Sequence, residues 1–357
     1  MLNPSSEALM KRRVFIKVVG GVAGGLAMGG QSFLSAADAV ETRVEGLPRR
    51  PLGQTGKKVS VVGFPGLALM HYDQKRCTEG LHSAFERGLN YFDVAPAYNN
   101  GDCENKMGIG LQGLDRDQYF LACKTNQRKK EGARMELERS LTRLKTDHFD
   151  LYQLHHLRQP AEVREVLGPD GALATIQKAR DEGKIRHVGF SAHTTKAALQ
   201  VMKEFRFDTV MFPVSFAEYY TIGFAKEVLD LAEKQGVGVI AIKPMSMGQW
   251  PQGAKKTREW WYRCTESQRE VDLAMRFALS LPGVVSGIPP SFLDLLDKAI
   301  EAGKNFKPIT DEELAELQQI AKSCESFFKT EDAKVALGAR LHERSMAGCP
   351  HDYGHWA

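Results

Sequence analysis

Four side chains that can handle protons follow short apolar runs of the sequence. Asp93, Lys124 and His155 each end or directly follow a strand-like run, and Tyr98 lies five residues beyond Asp93. The carboxyl ends of parallel strands meet at one face of a barrel, where active sites form. Neighbouring strands would therefore place a carboxylate, a phenol, an ammonium and an imidazole around one opening. Each residue type alone is more often structural or solvated, but this convergence favours chemistry.

The chemistry that these residues suit is the reduction of a carbonyl group. A hydride added to the carbonyl carbon leaves an alkoxide, which needs a proton from a positioned acid. A phenol has a free pKa of about 10, and a nearby ammonium lowers that value. We therefore assign Tyr98 as the general acid, with Lys124 lowering its pKa and Asp93 keeping Lys124 charged and oriented. His155 would hydrogen-bond the carbonyl oxygen, and such acid catalysis contributes about 10²–10⁴-fold in rate.

Eight strand-like runs alternate with helix-like runs and predict the order of the elements. The strand runs cover residues 59–63, 90–93, 119–124, 149–154, 185–190, 208–212, 237–242 and 284–288. Thr78 is expected to cap the first helix. Eight such repeats over roughly 250 residues are typical of an α/β protein with the (β/α)₈ TIM barrel fold. A doubly wound sheet would usually show a Gly-x-Gly-x-x-Gly turn after its first strand, and residues 63–66 supply none.

One more helix and a tail follow the repeats. Thr310 and Glu313 form a capping box ahead of an amphipathic run, which predicts an additional C-terminal helix. We assign residues 40–328 to a single barrel domain and residues 329–357 to a polar C-terminal tail. The sequence assigns no role to that tail.

The first residues of the chain have the layout of an export signal. A basic head, 11–17, precedes an uncharged run, 18–30, and a small-residue cleavage pattern, 37–39. The uncharged run is shorter than the roughly 20 residues that span a bilayer, so a cleaved leader is favoured over an anchor. The Arg-Arg-x-Phe-Ile-Lys string resembles the twin-arginine signal of bacteria. We expect the export machinery for that signal to deliver the protein to the periplasm, with residues 1–39 removed, a mature chain from about Val40 and no stable membrane insertion.

Charge and cysteine spacing argue against nucleic-acid binding and against a metal site. The net charge is +4, and no basic stripe is interleaved with aromatic residues, so nothing indicates nucleic-acid binding. Six cysteines lie at positions 77, 103, 123, 264, 324 and 349. None has Cys-x-x-Cys or Cys/His ligand spacing, which argues against a metal site. A periplasmic location would permit disulfides, but sequence alone pairs none, and most of these cysteines are expected to be buried thiols.

The motifs around the four candidate residues resemble those of the aldo/keto reductase family. The resemblance runs from about Arg49 to Ala302 and is carried by Leu52-Gly53-x-Thr55-Gly56, Tyr91-Phe92-Asp93-x-Ala95-x-x-Tyr98, Glu104-x-x-x-Gly108, Asp150-Leu151-Tyr152-Gln153-Leu154-His155 and the segment 183–191. It implies reduction of aldehydes or ketones, or oxidation of alcohols, with NADPH and without a metal. The family's Asp–Tyr–Lys–His tetrad maps onto Asp93, Tyr98, Lys124 and His155. His156 stands where the family often has Trp, which implies a place in the substrate pocket.

The resemblance also implies where a cofactor would bind, and here the sequence departs from the family pattern. Implied contacts come from Gly66, Ser191, Pro244, Ser246, Gly248, Pro290 and Ser291. The Asn, Gln and aromatic residue that usually surround the nicotinamide are replaced by Ala192, Met211 and Ile242. Pro290 and Leu296 replace the Lys and Arg that often hold the 2′-phosphate. Either other contacts hold the cofactor, with NAD(H) as an alternative to NADP(H), or nicotinamide binding is weakened.

Export raises the question of cofactor supply, because reduced nicotinamide has no obvious source outside the cytoplasm. We hypothesise that the cofactor binds before export, is retained, and is recycled by two substrates. Two other functions stay open: a non-catalytic barrel used as a redox-sensing or interaction subunit, and an isomerase or lyase without redox chemistry.

The segment 249–269 contains Trp250, Trp260, Trp261 and Tyr262. It is either a packed surface segment or a lid over the substrate. We favour the lid and place Trp250 in the substrate pocket, because stacked aromatic side chains there could hold a sugar or a hydrophobic ring.

Overall fold

The computed structural model describes residues 42–341. The predicted export signal, and residues 342–357 of the predicted tail, lie outside these residues. Within them, a three-stranded antiparallel sheet precedes the repeats and consists of β1 (Thr42–Val44), β2 (Leu47–Pro51) and β3 (Lys58–Ser60). In the same part of the chain, no helix is both long and apolar enough to cross a bilayer.

Eight parallel strands then follow in chain order, each hydrogen-bonded to the next. They are β4 (Gly63–Pro65), β5 (Tyr91–Asp93), β6 (Phe120–Thr125), β7 (Phe149–Leu157), β8 (Ile185–Ala192), β9 (Thr209–Pro213), β10 (Gly238–Ile242) and β11 (Val284–Ile288). The first and last strands approach through a parallel bridge between Val62 and Gly287, where the Gly287 amide donates to the Val61 carbonyl at 2.9 Å. The predicted (β/α)₈ barrel is confirmed.

Helices surround this barrel. They are α1 (Gln74–Glu86), α2 (Asp102–Gly110), α3 (Lys130–Leu144), α4 (Pro160–Leu167), α5 (Ala172–Asp181), α6 (Thr195–Glu204), α7 (Phe216–Ile222), α8 (Lys226–Gln235), α9 (Gln268–Ser280), α10 (Leu293–Lys304), α11 (Asp311–Ala321) and α12 (Lys329–Ala336). Short 3₁₀ helices span Gly66–His71, Tyr98–Gly101 and Arg116–Gln118. The additional helix is α11, and the predicted capping box is present, since the Glu313 amide donates to Thr310 Oγ1 at 3.3 Å. Helix α12 packs on the barrel through buried Val335, and Asp332 accepts a hydrogen bond from the Thr195 amide at 2.6 Å.

Two local predictions were wrong. The run 59–63 is not one barrel strand: Lys58–Ser60 pairs antiparallel with β2, and the barrel strand begins at Gly63. The Ser60 amide donates to the side chain of Asn90 at 2.7 Å, which takes it out of the parallel ladder. Helix α1 begins at Gln74 and not after Thr78, because Asp73 accepts from the Arg76 amide and caps it. Three of the five residues in the run 59–63 are valines, so the sequence pattern alone does not reveal the break.

Strand alternation separates two apolar layers and positions the candidate residues. Tyr91, Ala122 and Leu151 belong to a buried cluster with other inward-facing strand residues, while their chain neighbours pack towards the helices. Successive side chains of a strand point to opposite faces. Asp93 and Lys124 lie two residues beyond Tyr91 and Ala122, so they are inward-facing at the carboxyl ends of their strands.

Five cysteines of the described chain are free thiols, and the structure therefore agrees with the expected buried thiols at most of these positions. They are Cys77, Cys103, Cys123 and Cys264, which are buried, and Cys324, which is partly buried. Burial raises the pKa of Cys77 to about 11 and the pKa of Cys103 and of Cys264 to about 12.

The four buried thiols should be unreactive in the folded protein. The thiolate is the reactive form of cysteine, so raising the pKa from about 9 to about 11 lowers the thiolate fraction at pH 8 roughly a hundredfold. Cys324 is only partly buried and position 349 lies outside the described residues, so a variant with both Cys324→Ser and Cys349→Ser removes them from the experiment. We expect this variant to give almost no reaction with Ellman's reagent until denaturant is added, and then complete reaction. Rapid labelling of the native variant would show that the burial is wrong.

Candidate active site

Lys124 contacts two of the other predicted catalytic residues, Asp93 and Tyr98. Its side chain is fully buried, and its Nζ donates a short hydrogen bond to Asp93 Oδ1. The same Nζ donates to the Val94 carbonyl at 3.1 Å and to the Tyr98 hydroxyl at 3.3 Å. The ammonium is therefore anchored by a carboxylate and a carbonyl while it contacts the phenol oxygen. This contact stabilises a phenolate more than a phenol.

Asp93 is held in a nearly water-free position. Burial raises the pKa of its carboxyl group above the ordinary value, and the ammonium of Lys124 opposes that rise. Gln153, which lies beside Lys124 in the register of β6 and β7, donates to Asp93 Oδ2 at 3.4 Å. The paired ammonium and the amide are the contacts that favour the ionised carboxylate at this depth.

The imidazole of His155 completes the group at the end of β7. Its ring contacts the Tyr98 ring edge-on, with centroids 5.9 Å apart. The backbone here is irregular, since His156 has a φ of +58° and the register with β8 shifts after Leu154. The Ser191 hydroxyl accepts from the His156 amide at 2.8 Å. A positive φ in a residue other than glycine costs roughly 1–3 kcal/mol, and such strained backbone occurs at many active sites.

Arg128 holds this irregular segment from the neighbouring loop. Its guanidinium donates to the His155 carbonyl at 2.8 Å and to the His156 carbonyl at 3.1 Å, and it pairs with Glu162 at 2.9 Å. A guanidinium reaches several acceptors in a fixed planar geometry that an ammonium cannot reproduce. Arg128 is thus a positioning residue for His155.

An Arg128→Lys variant tests this positioning. We expect kcat to fall by about 10- to 100-fold, because small displacements of a catalytic group have effects of that size. Arg134→Lys is the matched control, since Arg134 pairs with carboxylates of Glu138 and Glu182 near the surface. Equal kcat values for the two variants would remove Arg128 from the positioning of His155.

The predicted catalytic group opens into a cavity of about 70 Å³. Six of the predicted site residues line it: Gly66, Asp93, Tyr98, His155, Ser191 and Ser291. Trp260, Trp261 and Tyr262 of the predicted lid also line it, which supports a lid at the cavity mouth. Lys124 lies behind Tyr98 and Asp93.

The other predicted site residues are not among those that line the cavity: Pro244, Ser246, Gly248, Pro290, His156 and Trp250. His156 is buried, and its ring packs on that of His193, with centroids 4.3 Å apart. Trp250 donates its indole N–H to the Trp260 carbonyl at 2.8 Å. Their roles as pocket or cofactor residues therefore remain predictions.

Sequence reasoning missed two polar residues of the cavity, His193 and Lys243. His193 directly follows β8, and Lys243 directly follows β10. The rule that found Asp93 and His155, a polar residue at the carboxyl end of a barrel strand, would have found both.

The loop 244–248, which contains the implied cofactor contacts Pro244, Ser246 and Gly248, does not fit a diphosphate in this structure. Its amides are already bonded within the chain: Ser246 N to the Lys243 carbonyl, Met247 N to the Arg263 carbonyl, Gly248 N to Ser246 Oγ, and Gln249 N to the Glu325 carbonyl, at 2.8–3.1 Å. A Cβ at Gly248 would lie 2.1 Å from the Glu325 carbonyl oxygen, so this backbone is closely covered. A diphosphate needs amide N–H donors or cations. Ala192, Met211 and Ile242 offer the nicotinamide neither a polar nor an aromatic side chain.

No group of at least three His, Cys, Asp or Glu side chains that could hold a metal ion occurs among residues 42–341.

A model of the Aldo/keto reductase family matches residues 68–322. The chain is 28% identical over 212 residues to L-galactose dehydrogenase of Arabidopsis thaliana. This match covers 56% of this chain and 66% of that protein. It is 27% identical over 308 residues to the uncharacterized oxidoreductase YqkF of Bacillus subtilis, and this match covers 77% of this chain and 96% of that protein.

Solved structures show the same fold. The holo form of aldo-keto reductase AKR11C1 from Bacillus halodurans matches with a TM-score of 0.62 and 24% identity, over 78% of this chain and 97% of that chain. An aldo/keto reductase from Klebsiella pneumoniae in complex with NADP and acetate matches with a TM-score of 0.59 and 21% identity, over 76% of this chain and 94% of that chain.

Proposed function

Because the chain belongs to the aldo/keto reductase family, we propose that it interconverts a carbonyl group and an alcohol with Tyr98 as the general acid and base. The observation that carries this proposal is the contact of the buried Lys124 ammonium with the Tyr98 hydroxyl at 3.3 Å. The family and its oxidoreductase relatives support the reaction class.

The residues divide the proton chemistry among them. In reduction, a hydride reaches the carbonyl carbon, the C=O π pair moves to oxygen, and the Tyr98 O–H bond breaks as its proton passes to that oxygen. Lys124 stabilises the phenolate that remains, and Asp93 keeps Lys124 in place. His155 orients the carbonyl oxygen by a hydrogen bond. In alcohol oxidation the same phenolate accepts the hydroxyl proton.

A nicotinamide dinucleotide, NADP(H) first and NAD(H) as the alternative, would supply or accept the hydride. A similar structure contains NADP. The covered loop, 244–248, means that this cofactor must either displace the contacts of Arg263 and Glu325 or bind its diphosphate elsewhere. The experiment is a fluorescence titration with NADPH and NADH, followed by a panel of aldehydes, ketones and sugars. Binding and carbonyl turnover are expected, and absence of both would overturn the proposal.

The covered loop favours one second candidate, an isomerase or lyase that moves protons without a hydride. Tyr98, Lys124 and His155 would serve such a reaction unchanged. It predicts conversion of a sugar with no change in nicotinamide absorbance and no nicotinamide requirement.

We also propose that the protein works in the periplasm after twin-arginine export and cleavage near Val40. The basic head and the cleavage pattern of residues 1–39 support this, and a cofactor would then be loaded before export. Periplasmic protein, denatured and assayed for nicotinamide, should release NADP or NAD. A protein found only in the cytoplasm, with its leader intact, would contradict the location.

A further inference from the structure

A second lysine lines the cavity that contains Tyr98. Lys243 follows β10, is only 8% exposed, and has a φ of +58°. Its Nζ lies 3.1 Å from Nε2 of His193, which follows β8 and is 2% exposed. Since an ammonium has no lone pair, the imidazole nitrogen is the acceptor in this contact. The catalytic scheme above uses neither residue.

Aromatic rings and one carboxylate lie near this pair. The Lys243 ammonium lies 5.1 Å from the Trp261 ring centroid and 5.7 Å from the Phe328 ring centroid. The charge of Lys243 also acts on the carboxyl group of Glu218 in α7 and opposes the rise in its pKa that burial causes. Its oxygens accept from the Ser326 hydroxyl and, at 2.7 Å, from the Phe327 amide. Glu218 is thus also bound to the segment that leads into α12.

Lys243 has left-handed backbone where it lines the cavity. Left-handed backbone is unfavourable for a lysine, and such strain persists where the surrounding fold fixes it, often at ligand sites. A buried ammonium beside an imidazole can bind an anion more strongly than an exposed lysine, because water competes less with it.

We propose that Lys243, oriented by His193, forms a subsite for an anionic group, a carboxylate or a phosphate, of the molecule that reacts at Tyr98. The inference rests on the proposed function and narrows it to acidic carbonyl compounds or hydroxy acids. The same chemistry could come from the diphosphate of a dinucleotide, and the experiment separates these two sources.

Anion binding is measured first, without turnover, by calorimetric titration of the full protein with inorganic phosphate and with acetate. Lys243→Met should weaken this binding at least about tenfold, as expected for loss of a charge-assisted contact. Lys243→Arg keeps the charge and should stay within a few-fold of the natural protein, and the exposed Lys226→Met should match it. Unchanged anion binding in a folded Lys243→Met variant would overturn the subsite.

The source of the anion is tested with a matched pair of substrates, succinic semialdehyde and butanal. If the substrate supplies the anion, Lys243→Met lowers kcat/KM for the acidic aldehyde at least about tenfold more than for the neutral one. If that ratio is unchanged and NADPH binding weakens instead, the substrate assignment is wrong and the diphosphate is the ligand. Tyr98→Phe should abolish turnover and leave phosphate binding unchanged, so failure of the proposed function and failure of the subsite give different results.

Discussion

Replacing Tyr98 by Phe should lower kcat for carbonyl reduction at least a hundredfold, with little change in the melting temperature. The change removes one hydroxyl that accepts a hydrogen bond from Lys124 at 3.3 Å and keeps the ring that packs on His155. Loss of a positioned general acid typically costs about 10²–10⁴-fold in rate. Steady-state kinetics on any aldehyde that the natural protein reduces give the measurement.

The matched control is Tyr220→Phe. Tyr220 is a half-buried tyrosine of α7 that packs on Phe277, and it is not among the residues that line the cavity. Its hydroxyl should be dispensable for turnover. If Tyr98→Phe and Tyr220→Phe both keep full activity, another group donates the proton and the assignment of Tyr98 is wrong.

Replacing Lys124 by Met should affect both stability and rate. The substitution leaves the Asp93 carboxylate buried without its ammonium partner, and breaking a buried ion pair in this way costs about 3–5 kcal/mol in the free energy of unfolding. Turnover should fall at least a hundredfold, because the phenolate of Tyr98 loses its stabilising charge. Urea unfolding and steady-state kinetics measure the two effects separately.

A double variant separates these two effects. Asp93→Asn combined with Lys124→Met removes both charges, so most of the lost stability should return, while activity stays low. Lys130→Met is the control for removing an ammonium from an exposed ion pair, since Lys130 contacts Asp170 at 2.5 Å on the surface. This variant should leave the free energy of unfolding unchanged. Full activity in the double variant would show that Lys124 has no part in the chemistry.

The barrel and the catalytic group were predictable because local patterns determine them. Each strand is a short apolar run, and parallel strands bring their carboxyl ends together whatever the loops do. Asp93, Lys124 and His155 could therefore be placed at one opening from their positions in the sequence alone. The prediction of the first strand was wrong, because a hydrogen bond from the Ser60 amide to Asn90, which is distant in sequence, divides an apparently continuous run.

The hydrogen bonds that cover the loop 244–248 were not predictable. The Gln249 amide bonds to the Glu325 carbonyl and the Met247 amide to the Arg263 carbonyl, and no local pattern marks such contacts between distant backbone groups. Lys243 was missed for a different reason. It directly follows the predicted strand run 237–242, as His155 directly follows the predicted run 149–154, but it was not considered, since the cofactor contacts implied there begin at Pro244.

The most direct test of the reaction class is turnover in deuterium oxide, followed by mass spectrometry and NMR of the product. Carbonyl reduction predicts a new carbon-bound hydrogen that comes from the hydride carrier, with solvent deuterium only on the exchangeable hydroxyl. Deuterium bound to carbon at the reacting centre would show that protons from solvent, and not a hydride, reach that carbon. That result would contradict the reductase assignment and support an isomerase or lyase.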